Sequence, residues 1–271
     1  MRDDAAEMDQ VIALSRENMT ADEWVSDPRS FVLAYSGHLQ EARKTKQHAV
    51  DLAKQSGNLE TAALFKAGEA LWEAFFGNTS LAKQSADAAL ALSNDRGVEY
   101  GAALALALSG DAARAQSLAD DLEKRFPEDT SVRFSYLPAL RAQLALNRGD
   151  PAKAIELLDV AVPNELGSPR VALHANFRAL YPVYIRGNAY LVAHKGAEAA
   201  VEFQKILDYR GIVAKDSIGA LAHLQLGRAF ATQGDTTKAK GAYQDFLNLW
   251  NHADPDVPIY RQAKAEYEKL P

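Results

Sequence analysis

The sequence predicts an all-α fold, a right-handed α-solenoid of about six helical hairpins with irregular repeat length. Three observations predict it. A six-residue phrase recurs as GHLQEA from Gly37, GNTSLA from Gly77, GDAARA from Gly110, GDPAKA from Gly149, HKGAEA from His194 and GDTTKA from Gly234, at intervals of 33 to 45 residues. Apolar residues around each phrase recur at three, four and seven positions, the period of one buried helical stripe. Strand-like alternation is scarce, and many of the 16 glycines and 10 prolines fall at the turns.

The phrase reads as a helix end, a turn and a helix start. Glycine ends one helix in a left-handed conformation at no steric cost, and an Asp or Asn behind it accepts hydrogen bonds from the free amides that open the next. Asn78, Asp111, Asp150 and Asp235 are therefore expected caps. The closing alanines, Ala42, Ala82, Ala115, Ala154, Ala199 and Ala239, fall about one turn into the second helix, where a small side chain lets the paired helix approach.

In chain order, Met8, Val11, Ile12 and Leu14 make an amphipathic stretch with no hairpin partner ahead of it. Residues 1–22 thus read as the end of a preceding repeat within a longer protein. The basic group Arg43, Lys44 and Lys46 reads as a solvated helix face. Trp72, Phe75 and Phe76 close the first helix of the next hairpin, and rings of that size belong in a core. Leu118, Ala119 and Leu122 form the stripe after Ala115, as Leu157, Leu158 and Ala161 do after Ala154. Pro163, Gly167, Ser168 and Pro169 mark an extended inter-repeat loop near 162–170. Pro182 either opens the following helix at its first turn or kinks a longer one.

Gly187 and Gly227 stand seven residues ahead of their phrases in otherwise good helices, which points to close helix contact. Phe203 and Ile206 continue the stripe after Ala199, and Tyr243 and Phe246 the stripe after Ala239. Asp254, Pro255 and Asp256 read as a turn and cap before a last helix from Pro258. Residues 1–271 are expected to form one repeat domain.

Leu226, Gly227, Phe230, Ala239 and Tyr243 resemble the tetratricopeptide repeat, as do Gly187, Tyr190, Ala199 and Phe203. Trp is missing from its usual slot, and Ala103 and Ala142 replace the glycine in two repeats. From about Arg178 onward, YPVYIRGNAYL and IGALAHLQLGRAFATQGDTTKAKGAYQDFLNLW are similar to the C-terminal tetratricopeptide region of bacterial eukaryotic-like serine/threonine protein kinases, common in acidobacteria. Similar regions also follow winged-helix domains in bacterial regulators. Earlier segments, ALALALSGDAARAQSLADDLEKRFPEDT and YLPALRAQLALNRGDPAKAIELL, are similar to the same family.

The resemblance implies a concave surface lined by first helices. Its occupant would be a protein, a peptide or the upstream effector domain of the same protein. Gln143, Tyr184, Asn188, Gln225 and Arg228 are the candidate partner-binding residues of that face. Asn188 and Arg228 each follow their glycine by one residue, so stacking should place them at equivalent points of adjacent hairpins.

The composition excludes several functions. A net charge of −6 leaves no basic stripe to displace counterions from phosphates, so direct nucleic-acid binding is not expected. With no cysteine there are no disulfides, thiolate metal sites or thiol nucleophiles. No run of 18 apolar residues exists, and the charged start MRDDAAEMDQ is unlike a signal peptide, so no membrane insertion by this segment is expected. The expected compartment is the cytoplasm, or the periplasm if a membrane segment lies upstream. The Gly-rich loop, strand lysine, HRD-type loop and DFG of a kinase are missing. His38, His48, His174, His194, His223 and His252 show no ligand spacing, so neither a metal nor a cofactor is expected. Asp120, Asp121, Glu123, Lys124 and Arg125 read as mixed charge on a solvent face. Two functional classes remain: a non-catalytic interaction or sensory module, and an enzyme or enzyme subunit whose small-molecule pocket is framed by hairpins.

Overall fold

Residues 19–167 and 180–271 are described by the computed structural model, and every regular element within them is a helix. In order these are α1 (Met19–Tyr35), α2 (Leu39–Gln55), α3 (Leu59–Phe75), α4 (Thr79–Leu90), α5 (Arg96–Leu108), α6 (Ala112–Arg125) and α7 (Leu137–Asn147). They continue as α8 (Pro151–Leu158), α9 (Tyr181–Val192), α10 (Gly196–Asp208), the single turn α11 (Arg210–Val213), α12 (Ser217–Thr232), α13 (Thr236–Leu249) and α14 (Pro258–Glu268). A π-helical turn, Val132–Tyr136, leads directly into α7. The stretch from Met8 to Leu14, together with Ser168 and Pro169, lies outside the described residues.

Six hairpins form, α1–α2, α3–α4, α5–α6, α7–α8, α9–α10 and α12–α13, and each packs on the next. Their turns are those the phrase predicts. Gly37, Gly77, Gly110, Gly149 and Gly234 have φ between 76° and 87°, and His194 takes the same left-handed position at 57°. The side chains of Asp111, Asp150 and Asp235 accept from the amides of Arg114, Lys153 and Lys238. Asn78 departs from the expectation: its amide donates to the Glu73 carboxylate at 2.7 Å and leaves the α4 amides uncapped by a side chain. Glu73 is buried at the end of α3, where such a carboxylate must collect donors. A seventh turn of the same kind, Gly57 and Asn58, joins α2 to α3 between hairpins.

All six closing alanines are fully buried. Gly187 and Gly227 sit where the paired helix presses closest. A Cβ on Gly187 would lie 2.7 Å from the Phe203 ring, and one on Gly227 2.6 Å from the Tyr243 ring. Those rings stand four residues beyond Ala199 and Ala239. In the first hairpin the same slot, four beyond Ala42, is held by Lys46. The solvated reading of Lys46 is therefore corrected: it is fully buried, ion-paired with Asp27, and its ammonium lies 4.2 Å from the centre of the Phe31 ring and 5.0 Å from that of Trp72. Arg43, one turn earlier, is drawn onto Glu73 with hydrogen bonds of 2.5 and 3.0 Å.

The second helices bury one face, whereas α3, α5, α7, α9 and α12 are buried nearly all round. The cause is that the stack closes on itself, with α12 touching both α1 and α3. Phe75, at the end of α3, packs on Tyr181 and Tyr184 of α9 at ring distances of 5.5 and 5.4 Å. Trp250, just past α13, donates its indole N–H to the Tyr35 carbonyl at 2.9 Å and meets Phe76 edge to face at 5.0 Å. The Asp254 amide donates to the Gly37 carbonyl, and its carboxylate accepts from the Gln40 amide at 2.7 Å. Asp254 thus caps α2 across the seam. This corrects the expectation of a cap for α14, whose N-terminus at Val257 has no side-chain cap.

Pro182 lies in the first turn of α9. Where an extended loop is expected from residue 162, the chain is still in a 3-10 helix, Asp159–Asn164, and the buried Glu165 behind it bonds Arg186 and Lys205 at 2.8 and 2.7 Å.

Candidate functional site

Four of the five predicted partner-binding residues lie on two neighbouring inner helices, Tyr184 and Asn188 on α9 and Gln225 and Arg228 on α12. Because Gly187 and Gly227 make matching contacts with their paired helices, Asn188 and Arg228 occupy equivalent places on successive rungs. Side chains link the two rungs. Gln225 donates to the Tyr184 hydroxyl at 3.1 Å, and Arg228 donates to the Gln225 side-chain carbonyl at 3.2 Å. Arg228 then forms a two-pronged ion pair with Glu266 of α14 at 2.8 and 3.0 Å, and the Tyr243 hydroxyl donates to the same carboxylate at 2.8 Å.

Burial works against the Arg228 charge, yet the hydrogen bonds and charge of Glu266 outweigh it and hold the guanidinium above its ordinary value. Burial likewise pushes Glu266 up, and Arg228 overrides it, so the carboxyl titrates below its usual range. Burial alone raises the Tyr184 hydroxyl, against the hydrogen bond from Gln225.

Gln143, on α7, stands apart from this chain of bonds. It donates to Asn147, which in turn donates to the Ala107 carbonyl of α5. Tyr184, Gln225 and Gln143 are buried, with Tyr184 wedged between Phe75 and Phe203. Asn188 is half-buried, and Arg228 and Glu266 keep 21% and 28% of their side-chain surface in solvent. Sequence reasoning missed Glu266, because nothing local ties residue 266 to a guanidinium 38 positions earlier.

Antiparallel hairpins of this length, with a left-handed glycine at the turn and a small-residue slot facing a ring, decide the architecture. The fold is a tetratricopeptide-like solenoid. In agreement, the chain is similar to the crystal structure of yeast Tom70, with a TM-score of 0.50 and 14% identity, over 98% of this chain and 57% of that one. The chain therefore spans little more than half the length of that structure. A match to the P58(IPK) TPR domain has 15% identity and a TM-score of 0.34, over 98% of this chain and 82% of that one. No protein-family model and no curated protein sequence matches the chain.

Among the described residues no group of three or more His, Asp or Glu could hold a metal ion. No helix among them is long and apolar enough to cross a membrane.

Proposed function

We propose that this chain is a non-catalytic scaffold that binds a protein or peptide, or the upstream effector domain of its own protein. The observation behind this reading is the polar chain from Tyr184 to Arg228, which ends at solvent on a helical-hairpin stack. Arg228 shares its charge with one carboxylate, Glu266, supplied by the terminal helix. A partner carboxylate arriving beside Asn188 can share the guanidinium with Glu266, so that neither charge is left unpaired. Tyr184 and Gln225 then act from beneath, by fixing the two rungs, while Gln143 ties α7 to α5 through Asn147.

The resemblance to kinase- and regulator-linked tetratricopeptide regions supports a place in a bacterial signalling protein, in the cytoplasm. The net charge of −6 favours a protein partner over nucleic acid. Capture of partners by the intact protein, repeated with Asn188→Ala, tests the assignment. Asn188→Ala is the cleaner variant because Arg228→Ala also unlatches α14. Weakened capture with an unchanged melting point is the expected result, and equal affinity would remove these residues from the partner surface. Kinase motifs or a winged helix in the coding sequence ahead of Met1 would support the signalling context.

A further inference from the structure

A cavity of about 620 Å³ opens where the last hairpin closes against the first. Its wall comes from five elements, α1, α10, α11, α12 and α13. Ala214 and Lys215 complete it on the α11–α12 link. The size falls in the range of pockets that enclose a small organic molecule.

Ala214 holds φ 51° and ψ −121°, a region that L-residues rarely adopt, and strain of this kind persists only where surrounding contacts impose it. Here it turns the chain sharply from α11 into α12 and brings Arg210 and Lys215 to the same cavity. Gly219 keeps the opposite wall thin: a Cβ there would lie 3.0 Å from Val213 and 3.1 Å from the Tyr35 ring.

The lining divides chemically. Ile206, Leu207, Val213 and Leu249 offer aliphatic surface. Among the described lining residues Arg210, Lys215 and His223 carry donors, and Asp245 carries a carboxylate. Among the described residues Arg210 has no ion pair, and the Asp245 carboxylate stands 3.9 Å from His223 Nδ1. Lys215 lies over the Tyr35 ring at 4.9 Å.

We propose that this seam cavity binds a small organic anion, an aliphatic body carrying a carboxylate or phosphate head held by Arg210, Lys215 and His223. Burial depresses the His223 imidazole, Asp245 opposes that shift and Arg210 adds to it, so the surroundings favour the neutral ring. An anion placed between Arg210 and His223 screens the first charge and attracts a proton to the second. Ligand binding and His223 protonation are thereby coupled. This site is separate from the Asn188 and Arg228 surface and stands or falls independently of it.

The test is an NMR titration of the His223 ring signals in the full chain, with sodium octanoate, inorganic phosphate and 1-octanol each added alone. Octanoate is expected to shift the signals saturably and raise the His223 midpoint, while phosphate and octanol at equal concentration do neither. Octanoate affinity should fall at least about tenfold in Arg210→Gln with Lys215→Gln, and by a smaller factor in Arg210→Gln alone, whose side chain is solvent-exposed. The proposal is overturned by the lack of any saturable octanoate effect, by an equal effect of phosphate or octanol, or by undiminished octanoate binding in both variants.

Discussion

Glu99 is an acid that the fold keeps protonated. It is 2% exposed on α5, and Arg125 donates to it at 3.0 Å while donating to Asp121 at 2.9 Å. Burial first, then a hydrogen bond with Asp121 and the Asp121 charge, push it up to about 8 from an ordinary 4.5, against the pull of Arg125. The folded chain therefore retains a proton that the unfolded chain has released between those two values. The resulting stabilisation is full below 4.5 and is lost as pH rises through about 8. Glu99→Gln preserves the neutral form and should flatten that part of the profile, read by urea unfolding at about pH 5 and about pH 9. Parallel wild-type and variant profiles would contradict the assignment.

Lys46 is a buried charge, ion-paired with the carboxylate of Asp27. Burial lowers its pKa and Asp27 opposes the shift, so Asp27→Ala should strand a buried ammonium and cost about 3–5 kcal/mol in chemical unfolding. The double change Asp27→Leu with Lys46→Met should recover most of that loss. Neither group was legible as buried. Lys46 sits among Arg43 and Lys44 in the sequence, and its slot facing α1 becomes visible only by aligning it with Phe203 and Tyr243.

Helices and turns were the most legible scale, because their signals are local. Glycine stops, Asp starts and the buried alanines can be read within six residues of one another. The glycine contacts predicted from Gly187 and Gly227 hold for the same reason. Gly227→Ala should destabilise by about 1–3 kcal/mol, because the Tyr243 ring leaves no room for a Cβ and overpacking exceeds the gain in helix propensity. Gly241→Ala, in α13 with nothing within 4 Å of the added carbon, should stabilise by about 0.5–1 kcal/mol. Thermal or urea unfolding of both variants checks the pair, and the same sign for both would contradict the packing argument.

The π-helical turn before α7 escaped sequence reasoning. Pro138 lacks an N–H and its ring crowds the carbonyl of Phe134, so widening the preceding turn keeps the helix continuous; Tyr136 within it stacks on Tyr100 at 3.8 Å. The 254–256 turn was legible, but the destination of its carboxylate was not.

Closure of the stack has no local signature. Trp250 and Tyr35 are 215 positions apart, and so nearly are Asp254 and Gln40. Neither pair belongs to a periodic pattern. Yet closure buries the inner helices, leaves Asn188 and Arg228 as the solvent-reached members of the predicted face, and creates the seam cavity. The candidate site was thus legible as a set of equivalent rungs, and its accessibility was not.

The first and last hairpins meet through Trp250 and Asp254. The chain has no cysteine, so spin labels on Gln40→Cys and Pro255→Cys, both exposed, report one distance without background. Pulsed electron resonance on the doubly labelled full chain should give a single narrow population at short range, fixed by the bond from the Gln40 amide to Asp254. A broad distribution centred at long range, as an open superhelix would produce, contradicts the account.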